Sequence, residues 1–246
     1  DWTLLGYEKD TPWKQDSKTR RALFCEQAND LCVAFLSETF VPQVLADLTR
    51  RAGPAINVIS NGQEVLIEYP RAFSAAAILP QIKLEIGPIA EWFPQEPRSI
   101  TPYAAEQYPD KFASRSTQIP TITAERTFWE KITILHQEAH RAAARALPSR
   151  YSRHYYDVYR ICATPIKDNA LQNIDLLTDV VRFKTNFYHC AWASYDTAVP
   201  GTLKLLPPDH NRAALAADYK AMAAMLFGEI PSFDDILTTL SELELA

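Results

Sequence analysis

Glycine is scarce in this chain, six residues in 246. So few glycines leave no room for a glycine-rich phosphate loop, a dinucleotide-binding pattern or a β protein assembled from repeats. No nucleophile elbow and no kinase signature occurs, so serine hydrolase, oxidoreductase and kinase chemistry find no support. Cysteine is sparse too. Cys25 and Cys32 would stand two turns apart on one helix, about 10 Å by helical rise, beyond disulfide reach. Neither Cys162 nor Cys190 completes a zinc-ligand spacing. Reduced thiols in a cytoplasmic protein are the expectation. Long apolar runs are also missing. The longest without charge, Ala72 to Pro80, is too short to span a bilayer, and no secretory leader is evident. No membrane association is therefore expected.

What is present is an ordinary globular composition, 47% apolar and 22% charged, in a chain long enough for one large domain or two small ones. A net charge of −5 argues against a general polyanion binder, but the charge is unevenly spread. Between Ala139 and Arg160 stand five arginines, two histidines and one acid, Asp157, whereas Glu229 to Ala246 carries five acids and no Lys or Arg. A local basic zone on an acidic protein suits one phosphate-bearing ligand better than a long nucleic-acid track. The chain opens Asp1-Trp2-Thr3-Leu4-Leu5 without a helix start signal, so a processed, truncated or partial product is expected.

The segment from Ser17 to about Arg51 reads as helix, capped by Ser17, broken near Pro42, with Phe24, Ala28, Leu31 and Phe35 as its apolar stripe. Ala55 to Ser60 and Gln63 to Tyr69 read as two strands joined by Asn61-Gly62, a type I′ hairpin signal. A third strand, Gln81 to Gly87, alternates Ile82, Leu84 and Ile86 with Lys83 and Glu85. Residues 88–120, rich in proline and aromatics, read as irregular. Helices are expected over Ala124 to Ala146, Ser149 to Ala163, Asn169 to Ala193, Arg212 to Phe227 and Phe233 to Leu245. The pattern is α+β, a small sheet-containing first half (1–122) and a helical second half (123–246).

Three groups carry candidate chemistry. On the helix after Pro148, Arg150, Arg153, Asp157 and Arg160 fall on one face, and Arg153 and Asp157 are spaced to pair. That face is either a solvated surface with one weak ion pair or a phosphate-binding face with Asp157 steadying a cation. Glu85 is either a metal ligand or a solvent-facing partner of Lys83; one carboxylate is too few for two-metal transfer chemistry. Lys131 sits at the edge of an apolar stripe and either snorkels to water or points into a cleft. His136 and His140 lie one turn apart without a protease-type glutamate and read as surface residues. His189 reads as buried packing.

Read together, Ile82-Lys83-Leu84-Glu85-Ile86-Gly87, Ala124-Glu125-Arg126-Thr127-Phe128-Trp129-Glu130-Lys131 and Tyr151-Ser152-Arg153-His154-Tyr155-Tyr156-Asp157-Val158-Tyr159 resemble the AbiEii/AbiGii nucleotidyltransferase toxin family. So do Ala198-Val199-Pro200-Gly201-Thr202-Leu203 and Asp218-Tyr219-Lys220-Ala221-Met222. The resemblance implies a polymerase-beta-like nucleotidyltransferase core with a small mixed or antiparallel sheet, followed by a C-terminal helical domain. It implies Mg²⁺ as cofactor and a nucleoside triphosphate as substrate. Glu85 then matches a third metal-binding carboxylate, Lys131 a lysine that meets the nucleotide phosphates, and Arg153 with Asp157 the Arg-x-x-x-Asp motif that completes the site; Arg150 joins the phosphate-binding set. Transfer RNA as acceptor and a cognate antitoxin as partner are further implications. The family's Gly-Gly-Ser/Thr turn and Asp-x-Asp pair have no counterpart in these residues and are expected upstream, so this polypeptide alone is not expected to catalyse transfer. Two other readings stay open: a non-catalytic module that binds an antitoxin or RNA, and another phosphotransferase on the same fold.

Overall fold

The computed structural model describes residues 2–71, 81–91, 93–226 and 228–245. The apolar stretch 72–80 and Phe227, an expected helix end, lie outside the described residues. The protein is α+β, more than half helical with small antiparallel sheets. It divides into two compact units, Asp1–Glu91 and Trp92–Ala246, upstream of the division at 122/123 drawn from sequence.

The first unit starts with two 3-10 turns, Trp2–Leu5 and Thr11–Lys14, and a helix α1 over Lys18–Phe35. Ser17 caps α1, its hydroxyl accepting from the Arg20 N–H at 3.2 Å. The helix does not break at Pro42. It widens into a π turn over Leu36–Phe40 and resumes as α2, Val41–Ala52. Proline lacks the N–H that would bond back to Glu38, and its ring crowds that carbonyl, so the ladder loosens just before it. Gly53, with φ 91°, ends α2 in a conformation costly for other residues. The buried stripe of α1 is Phe24, Ala28 and Cys32, continued by Leu36. Leu31 and Phe35, expected on that stripe, are 46% and 44% exposed; the helix turns its i, i+4 row inward rather than the i+3 row.

Three strands follow, β1 (Asn57–Asn61), β2 (Glu64–Glu68) and β3 (Gln81–Glu85), in a consecutive antiparallel meander. The register pairs Asn61 with Glu64, so the two turn residues are Gly62 and Gln63 rather than Asn61 and Gly62. Gly62 has φ 61° and Gln63 is not among the positive-φ residues, which is the type II′ arrangement with glycine at the first central position. Val58 and Val65 meet Cys32 and Leu36 in the core of this unit, with Leu84 and Ile86 packed around them. Ile82, on the apolar face of that alternation, is 53% exposed. By length and composition alone, the continuous helix Lys18–Ala52 contains a window apolar enough to cross a membrane. Part of that apolarity serves the core against the sheet, and Glu38 and Asp47 interrupt it.

The second unit opens with a two-stranded antiparallel ribbon, β4 (Gln95–Ile100) and β5 (Thr117–Ile122), where the sequence reads as irregular. Prolines 97 and 120 face each other across it. A two-stranded ribbon is all edge, so a residue without N–H is tolerated where a central strand would exclude it. Its connection contains a short helix α3, Tyr103–Gln107, and a 3-10 turn, Pro109–Lys111. The remainder is helical: α4 (Ala124–Ala139), α5 (Ser152–Cys162), α6 (Ile166–Leu171), α7 (Ile174–Phe187), α8 (Asp209–Met222) and α9 (Phe233–Glu244).

Helix α4 is the spine of this unit and packs on α5, α6 and α7. Phe128, Trp129, Ile132 and Leu135 enter the core with Tyr155 and Val158 of α5, Leu177 and Val180 of α7, Leu215 of α8, and Ile236 and Leu240 of α9. Each such side chain contributes about 1.5–3 kcal/mol by leaving water. Thr123 caps α4 and a Ser232–Asp235 capping box starts α9. The expected extension of α4 to Ala146 is absent: the helix ends at Ala139, and Arg141 folds back to pair with Glu138 at 2.5 Å and to donate to the Ala146 carbonyl at 2.9 Å.

Candidate active site

The site is built where α4 faces α5. Helix α4 commits its Phe128, Trp129, Ile132 and Leu135 side to the core, which leaves Lys131 at the boundary with its side chain 22% exposed. Helix α5 buries Tyr155 and Val158 and so turns His154 and Asp157, three residues apart, towards α4. The Lys131 ammonium meets the Asp157 carboxylate at 2.7 Å and the His154 Nδ1 at 3.2 Å. His154 is itself 6% exposed.

A second lysine stands behind this pair. Lys184 of α7 donates to the Glu130 carbonyl at 3.0 Å and to the Thr133 hydroxyl at 2.7 Å. Burial lowers its pKa to about 8, with repulsion from Lys131 and Arg126 adding to the effect and Glu130 opposing it. Arg126, almost wholly buried, pairs with Glu130 at 3.0 Å and donates to the Phe93 carbonyl at 2.6 Å. Burial also drives His154 down to about 4, helped by Lys131, Arg153 and Lys184 and opposed by Asp157. Around His154 and Lys184, the cations Lys131, Arg126, Arg153 and Lys184 outnumber the carboxylates Glu130 and Asp157. Such a local excess of positive charge favours a nearby anion.

The residues singled out from sequence are distributed unevenly. Lys131 and Asp157 are in contact. Arg153 is exposed on α5, one residue before His154, and does not pair with Asp157: among the described residues the ion-pair partner of Asp157 is Lys131. Arg150 precedes α5 rather than lying on it, with φ 62°. Its N–H donates to Asp218 of α8 at 2.7 Å. Glu85 belongs to the first unit. It stands opposite Glu64 in the β2–β3 register, and Lys83 binds both carboxylates, Glu64 at 2.5 Å and Glu85 at 2.9 Å. The Glu85 side chain is 74% exposed. No group of three or more His, Cys, Asp or Glu that could hold a metal occurs among the described residues. A carboxylate pair already clasped by a lysine falls short of the oxygen-rich set that Mg²⁺ takes, so these residues alone do not fit that ion.

Three groups of the site escape a motif reading. His154 could be found from its spacing, i and i+3 with Asp157. Lys184 could be found as a charge interrupting the apolar row Leu177, Val180, Val181 on α7. Asp218 accepts from the N–H groups of Arg150 and Ser152 and from the Ser152 hydroxyl, a cap supplied from another helix that no local pattern announces. The other histidine expectations are reversed. His136 is fully buried, bonded through Nε2 to the Ser194 carbonyl at 3.0 Å and through Nδ1 to the Lys204 N–H at 3.1 Å, while His189 is exposed.

A family model matches most of the chain. The family model described as nucleotidyl transferase AbiEii toxin, type IV TA system, covers residues 12–239. No curated protein and no solved structure matches the chain.

Proposed function

The chain belongs to the AbiEii family of nucleotidyl transferase toxins of type IV toxin–antitoxin systems, and from that premise we propose that its Lys131–Asp157 site serves transfer of a nucleotide from a nucleoside triphosphate to an acceptor hydroxyl. The observation that carries this reading is the 2.7 Å contact between the Lys131 ammonium and the Asp157 carboxylate, set among an excess of cations. In such a transfer the acceptor oxygen bonds to the α-phosphorus, the bond to the pyrophosphate oxygen breaks, and the acceptor proton leaves to solvent or a base. Negative charge gathers on the phosphate oxygens, and a positioned ammonium stabilises it. Lys131 is proposed to meet those oxygens, Asp157 to orient Lys131, and Arg153 and Arg150 to bind outlying phosphate.

Mg²⁺ is the proposed cofactor, with Glu85 as one contributor to its binding. The acceptor is proposed to be RNA, transfer RNA included. Exposed Arg145, Arg150, Arg153 and Arg160, none of them ion-paired to a carboxylate among the described residues, support contact with a phosphodiester backbone. A role in a toxin–antitoxin system implies an antitoxin partner, proposed here to be a protein. The four free cysteines support a reducing, cytoplasmic location.

The test is incubation of the encoded protein with total RNA and triphosphate labelled at the α or the γ position. Label from the α position entering RNA, lost on Lys131→Ala, supports the reading. Label from the γ position entering protein or RNA rejects it in favour of a phosphotransferase. No transfer of either label, with RNA or antitoxin still bound, leaves a binding module.

A further inference from the structure

We infer that His154 is a positioning residue for Lys131: its Nδ1 takes one ammonium hydrogen, Asp157 takes a second, and the third is left aimed at an incoming phosphate. The inference rests on the reading of Lys131 as the phosphate-binding lysine. An ammonium has three N–H donors and no acceptor. Two are engaged in this structure, by Asp157 Oδ2 at 2.7 Å and His154 Nδ1 at 3.2 Å. The side chain of Lys131 is still 22% exposed, so an anion can reach it. Two fixed acceptors on a flexible four-carbon stem define where the remaining hydrogen points; one acceptor alone would leave the ammonium free to swing about it.

The contact dictates the state of the ring. Since Lys131 has nothing to accept with, Nδ1 must be the unprotonated nitrogen, and the ring hydrogen must sit on Nε2. The surroundings hold the ring neutral. Lys131 faces it from α4, Lys184 from α7, and Arg153 and Asp157 from α5 itself, while Tyr151 packs edge-on at 5.0 Å. Burial and the three cations outweigh the one carboxylate, so protonation is displaced to about 4. Throughout the neutral range the acceptor therefore persists. A protonated ring would set two like charges within hydrogen-bond distance and turn Lys131 away.

Two substitutions separate this role from packing. Asparagine places an amide oxygen close to the position of Nδ1 and does not titrate; leucine fills similar space and accepts nothing. In the encoded protein, assayed with α-labelled triphosphate and total RNA, His154→Asn is expected to keep kcat within about threefold. His154→Leu is expected to lose about 10- to 100-fold in kcat with little change in KM, as for a misaimed catalytic group. Nitrogen-15 NMR of the wild-type protein is expected to show Nδ1 unprotonated and Nε2 protonated from pH 5 to 8. In Lys131→Met the His154 titration is expected to move up, because the nearest repelling cation has gone. A protonated Nδ1 in the wild type, or equal kcat for the leucine and asparagine variants, overturns the inference. If His154→Leu does not fold, the wild-type tautomer and the shift in Lys131→Met decide. Lys131→Met separates the two layers. Full transfer activity in that variant sinks the site reading itself, whereas an inactive Lys131→Met beside a fully active His154→Leu sinks only the positioning role.

Discussion

Asp218 of α8 caps the helix that carries Asp157: its carboxylate accepts from the Ser152 N–H at 3.0 Å and the Ser152 hydroxyl at 2.5 Å. The same carboxylate takes the Arg150 N–H at 2.7 Å. Helix α5 has no side-chain cap of its own, so a distant acid supplies what a local Ser or Asp would usually provide. Burial pushes the Asp218 carboxyl up, but these bonds together outweigh that and hold it below its ordinary value. Asp218→Ala is expected to cost about 1–2 kcal/mol in urea unfolding, the range for a lost cap. Asp218→Asn, which keeps one acceptor oxygen, is expected to lose less. Nucleotide transfer should fall further than the stability change accounts for, since α5 positions both His154 and Asp157. Wild-type transfer by a folded Asp218→Ala protein would detach the cap from the site.

The elements were legible where local pattern decides structure. Ser17 announced its helix and Ile82 to Glu85 announced a strand. What was not legible depended on tertiary partners. The β4–β5 ribbon was hidden by Pro97 and Pro120, which are ruled out only if a strand has neighbours on both sides. The burial of His136 depends on the Ser194 carbonyl and the Lys204 N–H, both some sixty residues downstream. Within the site, spacing offered Arg153, four residues back, as a possible partner of Asp157; the structure pairs Asp157 with Lys131 on another helix. Intrahelical spacing gives the pairs that are possible; packing chooses among them.

Acid should unfold the protein through its buried histidines. Burial lowers the His136 pKa from 6.5, with His140 and Lys204 adding to it against the Ser194 carbonyl, and His154 is lowered to about 4. Because the folded values lie below the unfolded one, the unfolded state binds more protons in the window between them. The stabilisation is thus complete above about pH 6.5 and drains away as pH falls towards 4. For His154 alone the loss is at most roughly 3.5 kcal/mol, taking about 1.4 kcal/mol per pKa unit. The urea midpoint should therefore fall between pH 7 and pH 4.5 in the wild type and fall less in His154→Asn. A flat midpoint over that range contradicts neutral burial of both rings.

Lys184 makes the same kind of test at higher pH. Its ammonium releases its proton at about 8 when folded and 10.5 when unfolded. Between those values the unfolded chain again binds more protons, so stability should rise with pH across that window. Lys184→Met removes the buried charge. It also removes the donor to the Glu130 carbonyl and the Thr133 hydroxyl, but that hydroxyl itself donates to the Trp129 and Glu130 carbonyls at 2.9 Å and keeps those bonds. The variant is expected to be at least as stable as wild type at pH 7 and to show no rise between pH 8 and 10. A loss of more than about 2 kcal/mol at pH 7, the scale of a truncated buried hydrogen-bonded charge, would mean that the charge stabilises the fold.

Glu85 can be judged through Lys83. The lysine binds Glu64 and Glu85 together, which is how a monovalent cation holds two acids that face each other across adjacent strands. A divalent ion could use the same two carboxylates only by displacing the ammonium, so lysine and metal compete. Lys83→Met should then tighten Mg²⁺ binding measured by calorimetry and lower the Mg²⁺ needed for transfer, while Glu85→Gln should do the reverse. Both changes lie on a solvent-facing strand surface, so thermal midpoints without metal should stay close to wild type. If all three proteins give one Mg²⁺ titration curve, the Glu64–Lys83–Glu85 trio is a surface charge cluster of β2 and β3 and not a metal-binding element. The opposed directions of the two substitutions distinguish a ligand from a residue that merely supports the sheet, because damage to the strand would weaken both in the same sense.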